Sequence, residues 1–343
     1  MCCSHTVGMK QFSASRHAPL PFVAVPTGDA GIYFYNNGAR RQPNAIFRVL
    51  CVNKSGDRDQ NRKKEQSSEQ HIVEKVQILC RICPNVVNLL QDQSCRSIFV
   101  TLIMPEKVVI IPTYNEKENI EKMVRKVMSL DGNFHLLIVD DGSPDGTADI
   151  VKQLQSDFSD RLFIEERRGK LGLGTAYIHG FKWALVRHYD FIFEMDCDFS
   201  HNPDDLIQLY DACANKKADV AVGSRYVKGG KVSNWPMGRL LMSYFASVYV
   251  RLVLWFNVKD TTAGFKCYKR KVLETIDLDD IRFVGYAFQI EMKYTAYKLG
   301  FKIREVPITF VDRVEGVSKM STKIFKEAFW GVLQMRFKKI NRK

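Results

Sequence analysis

Asp196 and Asp198 stand one residue apart at the end of Phe191-Ile-Phe-Glu-Met195, a run apolar enough to be a buried strand, and Ser200 and His201 follow them. On an extended segment residues i and i+2 point to the same side. The two carboxylates can therefore face one hard cation or one polar ligand. In open α/β sheets ligands bind beyond the carboxyl ends of the strands, which is where this pair would fall. Asp, Ser and Asn also favour turns, so the same residues suit a plain loop. The elements around them decide between the two readings.

Those elements form a regular series. Val108–Ile111 is a short apolar run ended by Pro112, as in a buried parallel strand. Ile120, Met123, Val124 and Val127 then make a core-facing helical stripe. His135–Val139 is a second strand leading into Asp140-Asp-Gly-Ser-Pro-Asp-Gly-Thr147, and a helix with Ala148, Val151, Leu154 and Phe158 follows. A third strand, Arg161 to Glu165, precedes the glycine-rich Gly169–Gly174 and a helix reaching about Val186. Asp219 to Arg225 supplies a fourth strand with a basic residue just past it. Strand, loop and helix in repetition predict an α/β fold with a mostly parallel sheet and helices on both faces. Right-handed crossovers bring the loops to one edge. Acids and an arginine on that edge suggest a metal–diphosphate site, the cation bridging phosphate oxygens and carboxylates.

Several other chemistries are excluded. Gly169–Gly174 is not G-x-G-x-x-G and follows the third strand, which argues against a nicotinamide site. No G-x-x-x-x-G-K-[ST] occurs, so no P-loop is present. Cys80-Arg-Ile-Cys83 lacks a partner pair for zinc. No stretch of 18 uncharged apolar residues occurs, so no transmembrane helix is expected, and no secretory signal is visible at the start. The net charge of +13 in 343 residues points to an acidic partner. Both parts of the chain contribute to it: residues 1–103 hold 13 basic and 7 acidic side chains, and residues 104–343 hold 38 and 31. A nucleic-acid binder would need aromatics interleaved along a basic stripe and would leave Asp141, Asp196 and Asp198 without a role.

The first 103 residues sustain neither helical nor strand periodicity. They are expected to be a poorly structured extension, or to arise from a mispredicted start, with a polar run at Asn53–Gln70 and a possible helix at His71–Leu90. Residues 104–320 are the expected catalytic domain and 321–343 a basic amphipathic helix.

Four motifs occur together in order: Ile111-Pro-Thr-Tyr-Asn-Glu116, Val139–Thr147, Lys170–Gly180 and Asp196-Cys-Asp198. Together they resemble family 2 glycosyltransferases, and within that family the dolichol-phosphate (polyprenol-phosphate) mannose synthases, over about residues 106–320. The resemblance implies a Rossmann-like GT-A domain taking GDP-mannose. Carried over by position, Pro112, Tyr114, Glu116, Val139 and Asp141 would bracket the guanosine. Asp196, Cys197 and Asp198 match the family's Asp-x-Asp, with Asp196 and Asp198 as ligands of Mg²⁺ or Mn²⁺ and Cys197 an inert buried thiol. Arg225, Arg239 and Ser243 resemble the acceptor-phosphate cluster, where a forked guanidinium suits a phosphate. Asp260-Thr-Thr-Ala-Gly264-Phe resembles a family turn in which Gly264 would supply backbone freedom. Gln289 and Glu291 would face the pocket as orienting groups. Arg313 and Lys319 would neutralise the departing GDP.

The implied acceptor is a polyprenyl or dolichyl phosphate, already ionised near neutral pH, so no general base is demanded. Direct displacement at the sugar would invert its configuration, giving a β-mannosyl phospholipid. Asp198, Arg225 and Arg239 would carry the catalysis. Leu240–Phe256 is nearly all apolar but holds Arg251, which argues against spanning a membrane. Ile324, Phe325, Ala328, Phe329, Val332 and Leu333 share a helical face fringed by basic residues, as in an interfacial helix. The expectation is a peripheral enzyme on the cytoplasmic face of a membrane, with no accessory membrane subunit indicated. A relative using UDP-glucose or another donor is the nearest alternative.

Overall fold

The computed structural model describes residues 23–27, 30–36, 47–53, 106–312, 322–340 and 342–343. The chain forms two compact units, Met1–Met104 and Pro105–Lys343. In the first, β1 (Val23–Thr27), β2 (Ala30–Asn36) and β3 (Phe47–Asn53) make an antiparallel meander in that order. The helix expected at His71–Leu90 lies outside the described residues.

The second unit is built on a seven-stranded sheet. Its strands are β4 (Lys107–Thr113), β5 (Phe134–Asp140), β6 (Leu162–Glu166), β7 (Phe191–Glu194), β8 (Val220–Ser224), β10 (Lys266–Lys269) and β11 (Ile303–Pro307). The spatial order is β11-β8-β10-β7-β4-β5-β6. β9 (Lys231–Ser233) pairs in parallel with β12 (Thr309–Val311) as a small separate ribbon. The helices are α1 (Lys117–Met128), α2 (Thr147–Leu154), α3 (Leu173–Val186), α4 (Asp205–Ala214), α5 (Met237–Leu254), α6 (Arg270–Thr275), α7 (Tyr286–Lys298) and α8 (Thr322–Phe337).

The expected mostly parallel sheet is present, with one reversal. β10 runs antiparallel to both β7 and β8, while the other sheet pairs are parallel. The reversal has a functional consequence. A strand running the opposite way begins where its neighbours end, so Asp260–Phe265, leading into β10, arrives at the same edge as Asp196 and Arg225.

Pro112 was expected to end the first strand, yet β4 continues through Thr113. The Ile110 carbonyl accepts from Met195 N on the β7 side and the Thr113 carbonyl accepts from Asp141 N on the β5 side. Alternation therefore points position 112 towards β7, whose paired ladder stops at Ile110–Glu194. The missing proline N–H falls where no strand partner remains.

Two apolar layers clamp the sheet. One packs α1, α2 and α4 against it through residues such as Ile120, Val124, Val151 and Leu206. The other packs α3 and α7 through Tyr177, Phe181, Phe288 and Met292. α3 comes very near β4: a Cβ at Gly180 would lie 2.6 Å from Ile110 Cγ2. A third cluster joins α5, α7 and α8 through Val250, Leu254, Ile290, Tyr294, Val332 and Met335.

Candidate active site

A cavity of about 680 Å³ opens at the carboxyl edge of β7 and β8. Its polar end carries Asp196, Asp198, Ser200, His201, Arg225, Arg239 and Ser243, and its other end lies between α5 and α8, against Phe245, Ala246, Tyr249, Phe329 and Trp330. Five of the expected site residues, from three separate chain segments, thus converge on one space.

The Asp196–His201 segment turns sharply at Phe199, whose φ of 57° is uncommon for a bulky side chain. The turn brings Ser200 N to 3.0 Å from Asp198 Oδ1. Tyr177 donates to Asp196 Oδ1 at 3.2 Å, and burial, with Asp196 and Glu194 beside it, holds Tyr177 far above the usual phenol range, so it remains a donor. His201 Nδ1 accepts the Asp196 backbone N–H at 3.4 Å while its ring stacks on Phe265. Cys197 points the other way, into the core, where burial first and the neighbouring carboxylates next push its thiol well above its usual pKa.

A divalent cation is implied by the resemblance, and the donor set fits one of open type. Asp196 and Asp198 offer hard oxygens on the cavity wall, and the Asp196 side chain is 39% exposed. Among the described residues no group of three or more His, Cys, Asp or Glu side chains converges. A cation here would therefore take much of its coordination from phosphate oxygens and water, the common arrangement for Mg²⁺.

The two arginines are held differently. Arg225 donates through Nε and Nη2 to the two oxygens of Asp260 and through Nη2 to Thr262 Oγ1 at 2.8 Å. Burial works to raise the Asp260 carboxyl, but the Arg225 charge and hydrogen bonds outweigh it and hold it below its usual value. Arg239 donates through Nη1 to both oxygens of Asp312 at 2.9 and 3.0 Å, and the ion pair is about one-quarter exposed. Trp235 is the side chain that sequence reading missed here. Its ring centroid lies 4.2 Å from the Arg239 guanidinium and 5.4 Å from that of Arg225. Its indole nitrogen is buried and without a partner among the described residues. Ser243 accepts from Tyr226 OH at 2.8 Å.

The residues expected around guanosine lie at the ends of β4 and β5 and on the loops after them, and none of them lines this cavity. Lys170 Nζ sits 4.9 Å over the Tyr114 ring, and Glu116 accepts from Asn119 Nδ2 at 3.2 Å. The Val139 side chain is fully buried against α3, so it belongs to the core. Asp141 is likewise buried, tied to Arg167 at 2.5 Å, and it also accepts the Leu171 N–H at 3.3 Å. Arg167, which spacing alone does not single out, thereby tethers the glycine-rich loop. Asp140 accepts from Thr113 Oγ1, Ser143 N and Ser143 Oγ and shapes the turn. Arg313 and Lys319 lie outside the described residues.

Two expectations around α7 need correction. Gln289 lines the cavity, but Glu291 faces away, since two residues along a helix swing about 200°. Glu291 accepts the backbone N–H groups of Arg282 and Phe283 at 2.9 and 3.1 Å and pairs with Lys338 at 2.9 Å. Gly264 is not in the left-handed region, so backbone freedom is not its role. It sits on the cavity wall, where a Cβ would lie 3.4 Å from Gln289 Nε2.

α5 and α8 divide their faces. Ser247, Val250 and Leu254 of α5 are buried, while Met237, Leu241, Phe245 and Leu252 are exposed. Val332 and Met335 of α8 pack on the unit, while Phe329, Trp330 and Phe337 are exposed. Lys338, expected in the basic fringe, is instead nearly buried against Glu291 and Asp280. With two arginines allowed, α5 is the one helix among the described residues that is long and apolar enough to cross a membrane, and only 17% of it is buried. Arg239 and Ser243 tie that same helix to the cavity.

Residues 108–277 match the model of glycosyl transferase family 2. The chain belongs to this family and is a glycosyltransferase. It is 47% identical over 230 residues to the polyprenol monophosphomannose synthase of Mycolicibacterium smegmatis, covering 66% of this chain and 86% of that protein. It is 43% identical to the undecaprenyl-phosphate mannosyltransferase of Micrococcus luteus, covering 66% and 93%. In fold it is similar to glucosyl-3-phosphoglycerate synthase of Mycobacterium tuberculosis, at a TM-score of 0.50 and 17% identity over 67% of this chain and 80% of that one.

Proposed function

We propose that this enzyme transfers mannose from GDP-mannose to a polyprenyl (dolichyl-type) monophosphate, with inversion, at the cytoplasmic face of a membrane. The observation that carries the reading is the single cavity with an acid–arginine head and an apolar arm between α5 and α8. A phospholipid acceptor has the same two-part chemistry. The names of the two relatives, a polyprenol monophosphomannose synthase and an undecaprenyl-phosphate mannosyltransferase, agree with it.

The residues divide the work as follows. Arg239, supported on Trp235, would bind the acceptor phosphate, and Arg225, neutralised by Asp260, would fix the wall beside it. Asp196 and Asp198 would hold the Mg²⁺ or Mn²⁺. When bound, the cation supplies charge neutralisation for the donor diphosphate. The acceptor arrives ionised, so the chain's contribution is positioning and charge stabilisation without proton removal. A phosphate oxygen forms the new bond to the sugar's anomeric carbon as the bond to the GDP oxygen breaks. Apolar walls on α5 and α8 exclude water from that carbon, which favours transfer over hydrolysis.

The test uses the full chain with radiolabelled GDP-mannose, polyprenyl phosphate, detergent and Mg²⁺ or Mn²⁺, counting label in the organic phase. Metal-dependent transfer is expected, with none from UDP-glucose. Asp198→Asn should lower it about 100-fold or more while the melting temperature stays near wild type. Transfer from UDP-glucose in place of GDP-mannose would overturn the donor assignment.

A further inference from the structure

Beneath the cavity a line of buried polar groups ends on an unsatisfied donor. Glu194 of β7 and Lys266 of β10 face each other across the sheet at 3.0 Å, both fully buried. Lys266 Nζ also donates to Gln289 Oε1. An ammonium only donates, so this contact fixes the amide's orientation, with the oxygen towards Lys266 and the nitrogen turned away. Gln289 is 2% exposed and lines the cavity, yet its Nε2 has no hydrogen-bond partner among the described residues. The wall opposite is held rigidly: Lys293 Nζ donates to Ala263 O at 2.6 Å and Arg225 donates to Thr262. At its end Gly264 leaves the approach to Nε2 open, because a Cβ there would lie 3.4 Å from that nitrogen.

A buried amide N–H left unmade costs stability unless something binds it. We propose that the Gln289 carboxamide is a substrate-binding group, donating an N–H to a hydroxyl oxygen of the hexose being transferred. Charge decides the ligand class. Arg239 already serves the anionic end of the cavity, Asp260 neutralises Arg225 beside it, and Glu194 neutralises Lys266 behind the amide. What faces the cavity at Gln289 is thus a neutral donor, suited to a neutral hydroxyl. Lys266 is its positioning residue. The inference rests on the sugar-transfer reading above and adds which chain group recognises the sugar as distinct from its nucleotide.

The experiment is a binding measurement by calorimetry on the full chain with GDP and with GDP-mannose, on wild type, Gln289→Leu, Gln289→Glu and Gly264→Ala. Gln289→Glu keeps the shape and reaches Lys266, and Gly264→Ala places a methyl over the amide without touching it covalently. Wild type should bind GDP-mannose more tightly than GDP. In the variants GDP affinity should stay unchanged and GDP-mannose affinity should fall about two- to tenfold, the range of one lost neutral hydrogen bond. A donor lacking the contacted hydroxyl should bind wild type as weakly as the intact donor binds Gln289→Leu, with no additional loss in that variant. Variants that bind GDP-mannose as wild type does would overturn the proposal, as would an effect confined to the KM for polyprenyl phosphate. Failure of wild type itself to bind GDP-mannose would instead refute the donor reading.

Discussion

Arg225 and Asp260 form a closed two-point pair: Nε and Nη2 lie 2.7 and 2.6 Å from the two carboxylate oxygens, and the Arg225 backbone N–H adds a third bond at 2.9 Å. Fourteen positions later, Arg239 makes a looser pair with Asp312, open to solvent on about a quarter of each side chain. The first is part of the frame. The second is exchangeable, because a carboxylate in partial contact with water is easily replaced by a phosphate on the same guanidinium.

Replacing Asp312 with Asn removes the carboxylate competing for Arg239. Exposed pairs of this kind are worth roughly 0.2–1 kcal/mol, so the KM for polyprenyl phosphate should fall about 1.5- to fivefold at low salt, with less effect at high salt. Initial rates across acceptor concentrations check this, and a raised KM would show that Asp312 holds Arg239 in place for the phosphate.

Asp260 should make the fold acid-sensitive. Its folded pKa lies below its unfolded value of 3.8, so its contribution is complete above about pH 3.8 and is lost as pH falls through the lowered folded value. Denaturant unfolding between pH 2 and 6 should show this loss in wild type and its absence in Asp260→Asn. That variant should also be less stable at neutral pH by about 3–5 kcal/mol, since a buried guanidinium loses its counter-charge. An unchanged slope in the variant would move the acid sensitivity to another group.

Gly180→Ala tests the contact between α3 and β4. With Ile110 Cγ2 2.6 Å from the new methyl, helix or strand must shift, and overpacking of this kind costs about 1–3 kcal/mol. A denaturation midpoint equal to wild type would mean that the side chain of Ile110 turns aside at no cost.

If α5 and α8 meet lipid, charges on their outer faces should reduce binding to anionic vesicles. Leu241→Asp and Leu252→Asp alter exposed residues, so the fold should tolerate them. Sedimentation with vesicles should fall, while transfer to a short-chain acceptor in detergent stays near wild type. Unchanged sedimentation would remove these positions from the membrane face.

Much of the site was legible because its strands are mostly apolar runs ending in loops with special chemistry. Val108–Ile111, His135–Val139 and Phe191–Glu194 announce themselves, and the loops after them follow from crossover geometry. β10 was not legible: Lys266-Cys-Tyr-Lys269 carries two lysines, and nothing local reveals that Glu194, on a distant part of the chain, neutralises the first of them. Asp140 and Asp141 look interchangeable in sequence, and only the fold shows one shaping a turn and the other holding Arg167. Trp235 and Gln289 were hard to weigh for the same reason: the importance of each depends on what lies across the cavity.

The reversal at β10 gives the enzyme a detachable side. β8 and β10 are neighbours running in opposite directions, so everything from Arg225 to Phe265, α5 included, is one enlarged hairpin connection. Such an excursion leaves and re-enters the seven-stranded sheet at adjacent strands, so its length beyond β9, which is tied to β12, can change without shifting the register of that sheet. The acids on β5 and β7 stand outside it. The α5 wall of the apolar arm can therefore vary in length and sequence apart from the acids, while the α8 wall is carried by a separate part of the chain.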